Sequence, residues 1–145
     1  MVYRFVVQIF KAKQKMANAN KSELIRDELV MNKIYLIRGK KVMLDKDLAK
    51  LYAVRTGNLN LAVKWNRGRF PDDFIFQLTK EELESLILQF AISKNPGRGG
   101  IRKLPYAFTE QGVSMLSGVL NSETAVRVHI QVIRVYAKMK EMLLT

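Results

Sequence analysis

The sequence predicts an α+β fold: a helix-turn-helix core with short β-hairpin or wing strands and a long C-terminal helix. Three observations predict it. Strand-like stretches are few and lie scattered among helical ones. Two apolar, helix-spaced segments meet across Ala53-Val54-Arg55-Thr56, inside LAKLYAVRTGNLNLAVKWN at residues 48–66. From Ser122 to about residue 143 the apolar spacing stays helical without a break.

Taken in chain order, residues 20–33 read as a helix, with Ser22 as N-cap and Leu24, Ile25 and Leu29 as its apolar stripe. IYLIRGKKVML, residues 34–44, reads as a hairpin of two short apolar strands around Arg38-Gly39-Lys40. Asp45 is placed to cap a helix running to about Tyr52, and Thr56 to cap the next, running to about Asn66. Pro71 bars a helix, and DFIFQL at 73–78 alternates like a strand.

Thr79 followed by Glu82 forms a capping box ahead of KEELESLILQFAIS, whose core stripe is Leu83, Leu86, Ile87 and Phe90. SKNPGRGG at 93–100 is a loop. Pro105 keeps IRKLPYAF extended. Thr109 caps the helix EQGVSMLSGVL, and Ser122 opens the last one. The expected organisation is a flexible or weakly docked extension over 1–20 and one domain over 21–145. Met16 opens the polar stretch MANANKSE and offers an alternative start of translation, which the mass of the native product would reveal.

With 145 residues, 48% of them hydrophobic, the chain is long and apolar enough to bury a core. It holds no cysteine, which excludes disulfides, and a single histidine, His129, which excludes a multi-His metal site. No apolar run reaches the roughly 18 residues of a membrane span. The opening MVYRFVVQIFKAKQK places its apolar patch before its charges, the reverse of a signal peptide, so a cytoplasmic location is expected.

Charge supplies the first functional indication. The 25 Lys and Arg outnumber the 13 Asp and Glu, for a formal net charge of +12. Residues 34–70 carry nine bases and two acids, and 94–105 carry four bases and no acid, whereas 71–93 carry one base and five acids. Two basic blocks therefore flank an acidic helix. Clustering of this kind points to a polyanionic partner.

The corner at 48–66 fits a helix-turn-helix. Leu48 and Tyr52 fall on the inner face of the first helix, with the small Ala49 at the crossing. Val54 plugs the turn, and Leu59, Ala62 and Val63 line the inner face of the second helix. Ala53 occupies the turn position often held by glycine, and alanine is strained there if φ is positive. The outer face is then Arg55, Thr56, Asn60, Leu61 and Lys64. Asn60 suits adenine, Lys64 guanine acceptors and Leu61 a thymine methyl. Thr56 and the helix N-terminus suit a phosphate.

In the loop NPGRGGIRK, Arg98, Arg102 and Lys103 add charge with no acid nearby. They are the expected phosphate contacts of a wing. The loop lacks the Gly-Lys-Ser/Thr ending of a phosphate-binding P-loop. Trp65 and His129 read as packing residues, and Asp45 and Asp73 as caps. No nucleophile–base pair or metal-ligand set is present, so neither an enzyme nor a cofactor is expected.

The runs IYLIRGKKVMLDKDLAKLYAV, LNLAVKWNRGRFPDDFIFQLTKEE and LPYAFTEQGVSMLSGVLNSETAV together resemble the KilA-N/Bro-N group of phage and bacterial DNA-binding domains. The nearest match is the "ORF six N-terminal" domain, and the likeness covers about residues 34–136. The resemblance implies a DNA-binding domain of phage regulators and antirepressors, often joined to a separate C-terminal domain. Where the family usually carries more charge, this chain has Leu61-Ala62 and Trp65.

The expected function is sequence-specific binding of double-stranded DNA by a phage-derived transcriptional regulator. The alternative is an antirepressor that sequesters a partner protein. Polar and basic side chains exposed at 55–65 favour the first, whereas Leu61 and Trp65 both exposed favour a protein groove. In the last helix Val128, Val132, Val135, Met139 and Met142 form one apolar stripe, and Val126, Ile130, Ile133 and Ala137 form a second. The spare stripe predicts a homodimer seam.

Overall fold

The computed structural model describes residues 21–90 and 103–144, with side chains from 26 to 89 and from 103 to 142. Helix α1 (Lys21–Met31) leads into strands β1 (Tyr35–Ile37) and β2 (Lys40–Leu44). Helices α2 (Asp45–Leu51) and α3 (Thr56–Trp65) form the corner. A single 3₁₀ turn, Arg67–Arg69, then leads to β3 (Ile75–Gln77) and α4 (Lys80–Phe90). Strand β4 (Tyr106–Thr109) and helices α5 (Glu110–Leu120) and α6 (Glu123–Leu144) complete the α+β fold.

The four strands make one antiparallel sheet in the order β1-β2-β4-β3. Ile37 pairs with Lys40, so the hairpin turn is the two residues Arg38 and Gly39, with φ of 54° and 73°. Two positive φ values mark the turn whose twist suits a hairpin.

Side chains alternate across the sheet, as the two-residue period of a strand dictates. Met43, Ile75 and Phe108 enter a core shared with α1, α2, α3, α5 and α6. Val42, Leu44 and Ala107 enter a second core, closed by Leu83 and Leu86 of α4. The sheet is thus covered on both faces. Phe70, just before Pro71, meets Phe108 edge to face with ring centroids 6.2 Å apart.

Three expected caps form. Glu82 N–H donates to Thr79 Oγ1 at 3.1 Å while Thr79 N–H donates to Glu82 Oε1 at 2.8 Å, a complete capping box. Thr109 Oγ1 accepts from Gly112 N–H, and Ser122 Oγ accepts from Ala125 N–H. Two do not form: neither Asp45 nor Thr56 caps its helix, because each is the first helical residue rather than the one before it. Two apolar placements also differ. Leu29 is exposed because α1 buries Asp27, Val30 and Met31, whose centre at 100° per residue lies nearly opposite it. Val54 is exposed and does not plug its turn. The expected extension at 1–20 and the loop at 93–100 lie outside the described residues.

Candidate nucleic-acid interface

Backbone hydrogen bonds close the corner. Val54 N–H donates to Ala49 O at 2.9 Å and Ala53 N–H to Lys50 O at 3.2 Å, with Ala53 at φ 57°. This is the Schellman termination of a helix, which places a left-handed residue just past the C-cap. It makes a valine plug unnecessary and explains why Val54 is free to stay exposed. Leu48, Ala49, Tyr52, Leu59 and Val63 are buried between the helices, and Ala62 is half-buried at the edge of the contact.

The buried pair Leu59 and Val63 fixes which way α3 turns. At 100° per residue the opposite side is Gly57, Asn58, Leu61, Lys64 and Trp65. Arg55 is exposed at its entry. Leu61 is 41% exposed and Trp65 77%. Thr56 and Asn60 are half-buried on the flank. Of the expected outer residues, Arg55, Leu61 and Lys64 therefore share the open face, whereas Asn60 is held. Its Nδ2 donates to Asp45 Oδ2 at 2.9 Å. The same carboxylate accepts from Tyr106 N–H at 3.3 Å, and its Oδ1 from Lys46 N–H at 2.8 Å. Asp45 binds α2, α3 and β4 at one point, which is its role in place of a cap.

Along the chain the exposed charge of the corner is one-signed. Lys50, Arg55, Lys64, Arg67 and Arg69 lie between Asp47 and Asp72 with no acid among them, and all five are exposed. The two acids of this basic block, Asp45 and Asp47, are buried, so their charge is withdrawn from the surface. Burial pushes the Asp47 carboxyl up, and Lys33 at 3.8 Å, with Lys46 and Lys50 nearby, pulls it partly back. By contrast the hairpin arginine is committed. Arg38 makes two hydrogen bonds to the Glu82 carboxylate, at 2.8 and 2.9 Å, and lies over the Phe76 ring.

Asn58 lies on the open face but is not among the expected outer residues, and Trp65, expected to pack, is exposed. The missing signal was the helical phase. Centring α3 on Leu59 and Val63 turns Asn58 and Trp65 outward and rotates Asn60 to the flank. The face now carries both features set out as discriminating, polar and basic side chains together with exposed Leu61 and Trp65. Of the expected phosphate contacts, Lys103 is exposed, and Arg98 and Arg102 lie outside the described residues.

These features define a class: a basic α+β domain with a covered four-stranded sheet and a helical corner that presents a positive face. A family model for the ORF6N domain matches residues 32–119, from the hairpin through α5, and the chain belongs to that family. The match ends before α6, short of the boundary near 136 read from the sequence. No curated protein and no solved structure matches the chain significantly. No helix among the described residues is long and apolar enough to cross a membrane.

Proposed function

We propose that the chain is a cytoplasmic, non-enzymatic regulator of phage type that reads double-stranded DNA with its α2–α3 corner as a helix-turn-helix. One observation carries the reading: five exposed cations on and beside α3, with the two acids of the same block buried. A surface of that kind releases counterions from a phosphate backbone. Arg55, Thr56, Asn60, Leu61 and Lys64 are the reading residues, joined by Asn58. Arg98, Arg102 and Lys103 follow the phosphates.

Exposed Leu61 and Trp65 favour the rival, a protein groove for a sequestered partner. Their area argues against it as the main contact. An aromatic side chain offers at most roughly 250 Å². With the exposed part of Leu61 added, the patch stays within the few hundred Å² ordinary for a monomer. On α6 the spare stripe is open, with Val126 50% and Ile130 46% exposed, and this supports a homodimer presenting two reading helices to a two-fold site.

The test is selection from random duplex DNA, followed by anisotropy titration of selected and random duplexes at several salt concentrations. Replacing Arg98, Arg102 and Lys103 together with Ala should weaken both duplexes alike and flatten the slope of log K against log salt by about 2.7. If the unmodified protein retains no duplex, the partner-sequestering reading replaces this one. A monomer mass by light scattering, well above the DNA affinity, would remove the dimer.

A further inference from the structure

Trp65 is the chain's sole tryptophan and its most exposed aromatic side chain among the described residues, whereas Tyr52, Phe70, Phe108 and Tyr136 are fully buried. It ends α3, one turn beyond Leu61 on the open face, with Lys64 before it and Arg67-Gly68-Arg69 after it. A side chain at Gly68 would have open space around it, so the glycine leaves the ground between the two arginines bare. A large ring left in water among unpaired cations has its apolar face unused.

Protein interfaces also favour Trp and Arg. What separates the partners is charge. A protein groove over this ring would have to neutralise Lys64, Arg67 and Arg69, whereas a nucleic-acid strand brings its phosphates with its bases. Stacked bases in an intact duplex show only their edges in the grooves. A ring can cover the face of a base only where that base has left the stack.

We propose that Trp65 is a stacking platform for an unpaired base, and that the preferred ligand is duplex DNA carrying or opening one extrahelical base beside the segment gripped by α3. This rests on the DNA-binding reading above and adds to it a residue, a chemistry and a substrate preference.

The test uses two labelled duplexes of the selected sequence, one intact and one with a single extrahelical thymidine. Label anisotropy reports binding, and intrinsic emission reports Trp65 alone. The bulged duplex should bind more tightly and quench the emission strongly. The intact duplex should bind with a smaller change. Trp65→Ala should weaken the bulged duplex by roughly 5- to 150-fold, the equivalent of one base–aromatic stack, and the intact one by no more than about twofold. Trp65→Phe, which keeps a ring, should recover most of the loss.

Binding that leaves the emission unchanged overturns the stacking role alone. So does an equal loss on both duplexes for Trp65→Ala, which would mean contact with sugar and backbone. A blue shift on concentrating the protein without DNA overturns it in favour of self-association. No anisotropy change on either duplex overturns this proposal together with the reading beneath it.

Discussion

The Asn60 amide donates to the Asp45 carboxylate across 2.9 Å and so ties the outer helix of the corner to the inner one. An amide uses one hydrogen in such a bond, leaving the second hydrogen and the carbonyl for a base edge. Asp45 is thereby a positioning residue for Asn60. Asn60→Ala should lose roughly 1–3 kcal/mol on a selected site and little on random DNA. Asp45→Ala should lose part of the same discrimination, and the double variant less than the sum. A coupling of about 1 kcal/mol in that cycle is expected, measured by anisotropy; additive losses would separate the two residues.

Ala53 sits at φ 57°, where a β-carbon is strained by about 1–2 kcal/mol. Ala53→Gly removes the strain and gives back about 0.4–1 kcal/mol through the freer unfolded chain. The net expectation is a gain of about 0.5–1 kcal/mol in urea unfolding. A loss would mean that the strain is relieved elsewhere in the turn.

Gly112, in the first turn of α5, lies against the carbonyl of Phe74, and an added β-carbon would run into it. That carbonyl also accepts from Thr109 N–H at 3.0 Å and Thr109 Oγ1 at 3.2 Å, so it cannot move aside cheaply. Gly112→Ala should therefore destabilise by about 3 kcal/mol. Gly118→Ala, with open space around its position, serves as the control and should be neutral or mildly stabilising in the same chemical melt.

The bidentate bond from Arg38, with help from Thr79, holds the Glu82 carboxyl down at about 2. A depressed carboxylate contributes stability above its unfolded pKa, roughly 4.3, and that contribution is lost as the pH falls towards the folded value. Between about pH 4.5 and 2 the thermal midpoint of the unmodified protein should fall faster than that of Glu82→Gln. Parallel pH profiles would show that the clamp contributes nothing measurable.

The hairpin, the capping box and the caps at Thr109 and Ser122 were legible because each depends on residues within a few positions. The corner was legible in its buried half, from Leu48 to Val63, for the same reason. Its outer half was not. Whether Asn58 or Asn60 faces outward depends on the rotation of α3, and a shift of two residues turns a helix by 200°. Asp45 was misread because its partners are Asn60 and Tyr106, fifteen and sixty-one positions away, and spacing carries no trace of such contacts. Trp65 was misread because an apolar side chain is usually inside, and only the packed fold shows where one is left out.

β4 is the last strand to be synthesised, yet it lies between β2 and β3. It also feeds both cores, Phe108 into one and Ala107 into the other. Before its residues emerge, a growing chain has a hairpin and a β3 that no strand pairing joins. Contacts this distant along the chain slow the search for the native pairing. The arrival of four residues, Tyr106–Thr109, then completes the ladder and closes the second core, while the first still waits for α5 and α6. The positive corner, whose helices pack in the first core, is thus finished only after α5 and α6 have followed β4, and until then a nascent chain has no finished surface to offer a polyanion.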